Sequence, residues 1–194
     1  MKHARSVARF CTEVFQPPAV VSFLLIVAGI RSSTGSLGIW CGVIAALFMC
    51  LMPWLAVVLL ARRGRLSDHH VGDKRQRLPV LLATLGSTVL GSVILVAMGA
   101  PALVFAVLVS FVAGMVFMMA VSPFWKVSGH ATALSGAVAV LILIFGPGFF
   151  WLLALPPLIG WSRVHLGDHS VNQVFAGTIA GPLVIGSVLE LMTL

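Results

Sequence analysis

Charge is scarce in this chain. Only 9% of its 194 residues are Asp, Glu, Lys or Arg, and 60% are hydrophobic. A soluble domain carries charge at roughly a quarter of its positions, so a water-soluble globule is excluded. The mean hydropathy of +1.12 points the same way. Cysteine is sparse too: Cys11, Cys41 and Cys50 lack metal-ligand spacing, and the last two sit in an apolar run that suits small buried thiols. No repeat and no low-complexity stretch breaks the pattern. No cleavable leader is expected, because the first apolar run begins only near Val14, and no small-residue cleavage site precedes a polar mature chain. The net charge of +7 is not a nucleic-acid signature. The basic residues fall in short loops between apolar segments, where they set topology or bind phosphate.

What the chain has in quantity is long apolar runs. A membrane-spanning helix needs about 20 apolar residues. The sequence offers Val14 to Ile30, Leu37 to Ala61, Pro79 to Met98, Pro101 to Val121, Thr132 to Phe145, Phe149 to Trp161 and Val171 to Leu191. Gly99-Ala100 and Gly146-Pro147-Gly148 are turn chemistry, predicting tight hairpins. Gly177, Gly181 and Gly186 predict close helix packing in the last segment. The expected fold is all-α, a polytopic transmembrane bundle of six to seven helices forming one domain over residues 1–194.

Three polar regions interrupt the apolar runs. The first holds Asp68, His69, His70, Asp73, Lys74, Arg75 and Arg77. Guanidinium groups grip phosphate oxygens bidentately and lysine adds a mobile point charge. Alone, the run reads equally as a basic loop that only fixes topology. Adjacent histidines rarely share one metal face, so no metal site is expected there. The second region is Ser128-Gly129-His130 before an apolar helix. Ser128 offers a hydroxyl, Gly129 an approachable backbone amide, and His130 a general acid. By itself this tripeptide reads more readily as a helix cap followed by an interfacial histidine. The third region runs from Ser162 to Gln173. Arg163 suits a phosphate, and His169 is a competent nucleophile if an acceptor holds its other ring nitrogen. His165 lies off that spacing and reads as a bystander. The alternative is an interfacial polar loop anchored by Trp161.

The basic run, Ser-Gly-His and Ser-Arg-x5-His, in that order, resemble the type 2 phosphatidic acid phosphatase family, relatives of the vanadium haloperoxidases. The resemblance spans about half the chain, from Asp68 to Gln173. It implies a metal-independent and cofactor-free lipid phosphatase. His169 would attack phosphorus and His130 would act as acid and base, while Lys74, Arg77, Ser128, Gly129 and Arg163 hold the phosphoryl group. The chain departs from the family pattern in places. Val127 replaces a frequent proline, His70 stands where lysine is usual, Leu78 separates Arg77 from Pro79, and Gln173 stands where aspartate often orients the nucleophile. A glutamine carbonyl can still accept the imidazole N–H, although it cannot balance a full imidazolium charge. His169-Ser170-x-x-Gln173-Val174 is similar to the dolichyl diphosphatase branch, which implies a polyisoprenyl phosphate or diphosphate. A glycerolipid phosphate such as phosphatidate or phosphatidylglycerol phosphate, or an inactive lipid-binding relative, are the alternatives. A transporter is disfavoured, because no inverted repeat is present and the polar groups gather at one face.

The three regions follow the second, fourth and sixth apolar segments, so they share one face. Eleven of the twelve Lys and Arg also fall there, with Arg31 opposite. The positive-inside rule then puts the site at the cytoplasmic face of the cell membrane. Without Lys74, Arg75, Arg77, Lys126 and Arg163, six cations still oppose one. The expected partner is a lipid phosphate in the bilayer.

Overall fold

The computed structural model describes residues 2–32, 34–64 and 74–194, and for residues 2 and 74–77 the backbone only. The fold is all-α, with no strand among the described residues. Among the described residues eight helices follow one another: α1 Lys2–Val14, α2 Pro17–Arg31, α3 Ser36–Arg62, α4 Lys74–Ala97, α5 Ala102–Val121, α6 Gly129–Phe145, α7 Leu155–His165 and α8 Val171–Thr193. Among the described residues four stretches are long and apolar enough to cross a membrane, Ser36–Arg62, Leu78–Ala97, Ala102–Val121 and Val171–Thr193, and α1 with α2, bent by 43°, makes a fifth if the pair is one span. They mark an integral membrane protein.

The helix ends follow local chemistry. The chain breaks after Val14 and restarts at Pro17, whose missing N–H is no loss in a first turn. Gly99 and Gly146 take positive φ of 67° and 87°, making the two turns that their neighbours suggested. Two helices change pitch at a proline. In α3 a π-helical stretch, Leu47–Leu51, lies just ahead of Pro53; in α8 the π stretch Gly181–Gly186 contains Pro182. Widening the turn relieves the clash between a proline ring and the carbonyl four residues earlier.

Three segments differ from the sequence expectation. Phe149 to Trp161 is not one regular helix: a 3₁₀ run, Pro147–Ala154, passes into α7, which continues to His165. The run begins at Pro147, where Gly146 supplies the turn. The helix expected from Pro79 starts at Lys74, five residues earlier. Residues 2–14, assigned to no element from sequence, form α1, because the polar residues that hide them from a hydropathy reading lie on their own faces of a helix.

By internal contacts the chain divides into two compact units, Val21–Leu108 and Met1–Val20 with Val109–Leu194. In the first, helices cross over glycine. A Cβ at Gly42 would fall 2.5 Å from the Leu25 carbonyl oxygen, and one at Gly29 would strike the carbonyl of Gly38. Backbones can approach this closely only without side chains. The second unit packs α6 against α8 in the same manner. A Cβ at Gly177 would meet the Ser128 carbonyl oxygen at 2.7 Å, and one at Gly181 would strike Ser135 and the Thr132 carbonyl. Gly177 and Gly181 are therefore required where α8 crosses the N-terminal half of α6, while a Cβ at Gly186 would stand 3.3 Å from Ala139 Cβ, tight but against a side chain.

Candidate active site

The second unit gathers the N-terminus of α6, the C-terminus of α7 and the N-terminus of α8. Ser128 caps α6, its Oγ accepting from the Ala131 N–H at 3.4 Å. Its own N–H donates to the Gln173 carbonyl at 3.1 Å, which pins the start of α6 to the first turn of α8. The capping role that the sequence offered for Ser128 is thus real. Capping uses only a lone pair of Oγ, so the hydroxyl can still donate to an anion. Gly129 has open space, with Met118 Cε at 3.8 Å from where a Cβ would stand. His130 lies one residue further along the first turn of α6 and is buried.

The loop after α7 folds back on itself. The Arg163 carbonyl accepts from the N–H groups of Asp168 at 3.1 Å and His169 at 3.3 Å. Gly167, at φ 80°, makes the reversal. Arg163 is 5% exposed, and its Nη1 lies 3.1 Å from Asp168 Oδ2. A guanidinium this deeply buried needs anionic company. Asp168 supplies part of it, at a carboxylate that is itself partly exposed.

His169 is 8% exposed, and its Nδ1 lies 3.2 Å from both the Lys126 carbonyl oxygen and Gln173 Oε1. Both partners are acceptors. The Gln173 assignment is fixed by a second contact: the same Oε1 accepts the Ser170 N–H at 3.1 Å, closing a capping box in which Ser170 Oγ accepts the Gln173 N–H at 3.4 Å. Only a carbonyl oxygen can accept that amide. Nδ1 must therefore carry the proton, and in the neutral ring the acceptor nitrogen is Nε2. Gln173 Oε1 is thus placed to accept the imidazole N–H together with the Lys126 carbonyl.

His165 is exposed and stacks on Trp161, ring centroids 5.4 Å apart at 21°, as suits a bystander in an interfacial belt. Ser162 is fully buried and turned to α1: its Oγ lies 2.6 Å from both the Ala8 carbonyl and Thr12 Oγ1. The structure therefore brings together Ser128, Gly129, His130, Arg163, His169 and Gln173. Lys74 and Arg77 start α4, and their side chains lie outside the described residues, as do Asp68, His69, His70 and Asp73 altogether. Among the described residues no three His, Cys, Asp or Glu side chains are grouped to hold a metal.

Two partners escaped sequence reasoning. The Lys126 carbonyl leaves no trace in a sequence. Asp168 could have been found, being the one acidic residue between Asp73 and Glu190.

Chemically, the arrangement suits an oxyanion. Two helix N-termini bring positive dipole ends and amides, and a buried guanidinium adds a full charge. An oriented imidazole supplies a lone pair beside them. From the same helices an apolar groove of about 430 Å³ extends away, lined among others by Ser135, Val138, Ile142, Leu153, Thr178 and Glu190. Its near end at Ser135 is five residues beyond His130, a rise of roughly 8 Å along α6.

The family model of the PAP2 superfamily matches residues 121–193, which holds Ser128-Gly129-His130 and Arg163 through His169 but leaves out the basic run at Lys74. No curated protein and no solved structure gave a match.

Proposed function

We propose that this protein is a membrane phosphatase of the PAP2 type, which hydrolyses a polyisoprenyl phosphate or diphosphate through a phosphohistidine and without a metal. The observation that carries the reading is the double acceptor on His169 Nδ1, which makes Nε2 the nucleophilic nitrogen of a buried imidazole six residues after a buried arginine. The match over residues 121–193 supports the same chemistry.

In this mechanism Arg163, the Ser128 hydroxyl and the Gly129 amide hold the phosphoryl oxygens, with Lys74 and Arg77 adding charge. They stabilise the negative charge that spreads over those oxygens in the transition state. The Nε2 lone pair of His169 forms a bond to phosphorus as the bond to the leaving oxygen breaks. His130 gives its proton to that oxygen, releasing a prenol or a prenyl monophosphate. Neutral His130 then takes a proton from water as the water oxygen attacks phosphorus. The N–P bond breaks, and its electron pair returns to His169. The apolar groove along α6 and α8 suits the prenyl chain. The His-Ser-x-x-Gln-Val ending favours polyisoprenyl over glycerolipid substrates. The distribution of lysine and arginine favours a site at the cytoplasmic face of the cell membrane.

The test is phosphate release by purified protein in detergent with EDTA. The panel is prenyl monophosphates, prenyl diphosphates, phosphatidate and phosphatidylglycerol phosphate, with His169→Ala alongside. The expected result is release from the prenyl substrates, with His169→Ala lower by on the order of 10⁴-fold or more, as removal of a nucleophile produces. Preference for phosphatidate or phosphatidylglycerol phosphate would replace the substrate class. Release untouched by His169→Ala would remove the nucleophile. Activity lost in EDTA and restored by Mg²⁺ would overturn the metal-free mechanism. No release from any lipid would favour a lipid-binding role without catalysis.

A further inference from the structure

We infer that Thr12, on the N-terminal helix, is a positioning residue for Arg163 and His169. The inference rests on the phosphatase reading for its catalytic consequence, though not for its structural part. Thr12 lies more than a hundred residues before the stretch matched by the family model.

The structural basis is a small buried network. α1 packs on α7 through Ala8, Cys11 and Thr12, spaced i, i+3 and i+4 on one face. Ala8 and Ser162 are fully buried, and Thr12 is 1% exposed. Ser162 donates its only hydroxyl proton to the Ala8 carbonyl at 2.6 Å. The Thr12 hydroxyl, 2.6 Å from Ser162 Oγ, must then be the donor into that oxygen. Both distances are short for O–H···O bonds, and each bond polarises the other where water is absent.

What this network holds is the last turn of α7. The Ser162 carbonyl accepts the Leu166 N–H at 3.0 Å, and the next carbonyl, that of Arg163, accepts the N–H groups of Asp168 and His169. Fixing Ser162 from the α1 side therefore fixes the backbone from which the guanidinium projects and on which the nucleophile hangs. Phosphoryl transfer depends on in-line geometry, and a displacement near 1 Å can cost about 100-fold in rate. Thr12 touches neither phosphate nor imidazole. Its effect passes through Ser162, so it should act on turnover more than on lipid affinity.

The experiment uses the full chain in lipid nanodiscs with Thr12→Val, Thr12→Ser and Ser162→Ala. Valine keeps the shape of threonine without the hydroxyl, and serine keeps the hydroxyl. Amide hydrogen exchange over residues 163–169 needs no substrate and reads the clamp directly. In Thr12→Val and Ser162→Ala, exchange at Asp168 and His169 should rise about tenfold, as a lost local constraint allows, while α6 and α8 keep their protection. With a substrate, kcat should fall about tenfold while KM stays within about twofold, and Thr12→Ser should restore both. Unchanged exchange, or a rise spread evenly over the unit, overturns the clamp. A local rise with kcat unchanged overturns the link to catalysis. A wild-type protein that releases no phosphate sinks the phosphatase reading and leaves the exchange experiment to decide the clamp. Should Thr12→Val fail to fold, Ser162→Ala reads the same network from its other end.

Discussion

The two compact units bury different things. Among the described residues, Val21–Leu108 buries a single polar side chain, Thr88. Its helices meet at glycine, with Gly42 against the Leu25 backbone and Gly91 against Phe48. The other unit buries Thr12, Ser110, Ser122, Ser128, His130, Thr132, Ser135, Ser162, Arg163 and His169. Polar groups at membrane depth are costly, and an apolar bundle can be built without them. The first unit demonstrates as much. The polar interior of the second therefore answers to a different demand, and the contacts around His169 and Arg163 say which. Caps, carbonyls and an ion pair hold one imidazole and one guanidinium in place.

Arg163→Lys probes the sharpest form of that contrast. Lysine keeps the charge but loses the planar fork, and with it bidentate contact to a phosphoryl group and the present contact to Asp168. Turnover of a prenyl phosphate should fall by about 10²- to 10³-fold, the range seen when one transition-state contact is removed. Steady-state kinetics on folded protein is the measurement. A loss under about threefold would mean that the buried charge is structural, and the polar unit would lose its claim to be the catalytic one.

The sequence made parts of this contrast readable and hid others. Ser128, Arg163, His169 and Gln173 were legible because their spacing carries chemistry and because polar residues stand out against apolar runs. The spans were legible for the same reason. α1 was not, since it has three faces: Ala8, Cys11 and Thr12 inward, Arg5 and Arg9 outward, and Val7, Phe10 and Val14 exposed on a third. No continuous apolar run results, so a hydropathy reading starts only where α1 ends. Its bond to Ser162 joins positions 150 residues apart, which no local pattern encodes. The Lys126 carbonyl that holds His169 belongs to the backbone and has no letter of its own. The 3₁₀ run Pro147–Ala154 is as apolar as a span, and periodicity alone could not tell them apart.

Gln173→Leu tests how the polar unit sets one tautomer. The substitution removes the acceptor shared by His169 Nδ1 and the Ser170 N–H, and leaves the Lys126 carbonyl in place. With one of two acceptors kept, kcat should drop about tenfold, well short of the loss from removing the nucleophile. The opened capping box should cost about 1 kcal/mol of stability. Both can be read from kinetics and from thermal unfolding in detergent. If kcat stays at the wild-type value, the Lys126 carbonyl alone fixes the ring and Gln173 is only a helix cap.

Gly42→Leu carries the comparison to the apolar unit, where the smallest effect on chemistry is expected. A side chain at residue 42 has nowhere to go, because its Cβ alone would stand 2.5 Å from the Leu25 carbonyl oxygen and 3.0 Å from Ile26 Cα. The helices must separate, at a cost of about 1–3 kcal/mol for overpacking. The loss should appear in thermal unfolding and in yield. Turnover per folded molecule should stay within about twofold, because no residue of the candidate site in α6 to α8 is part of this crossing. If turnover per folded molecule instead fell as far as in Arg163→Lys, polar burial would no longer mark where the chemistry lies, since a purely apolar crossing would be governing the same step.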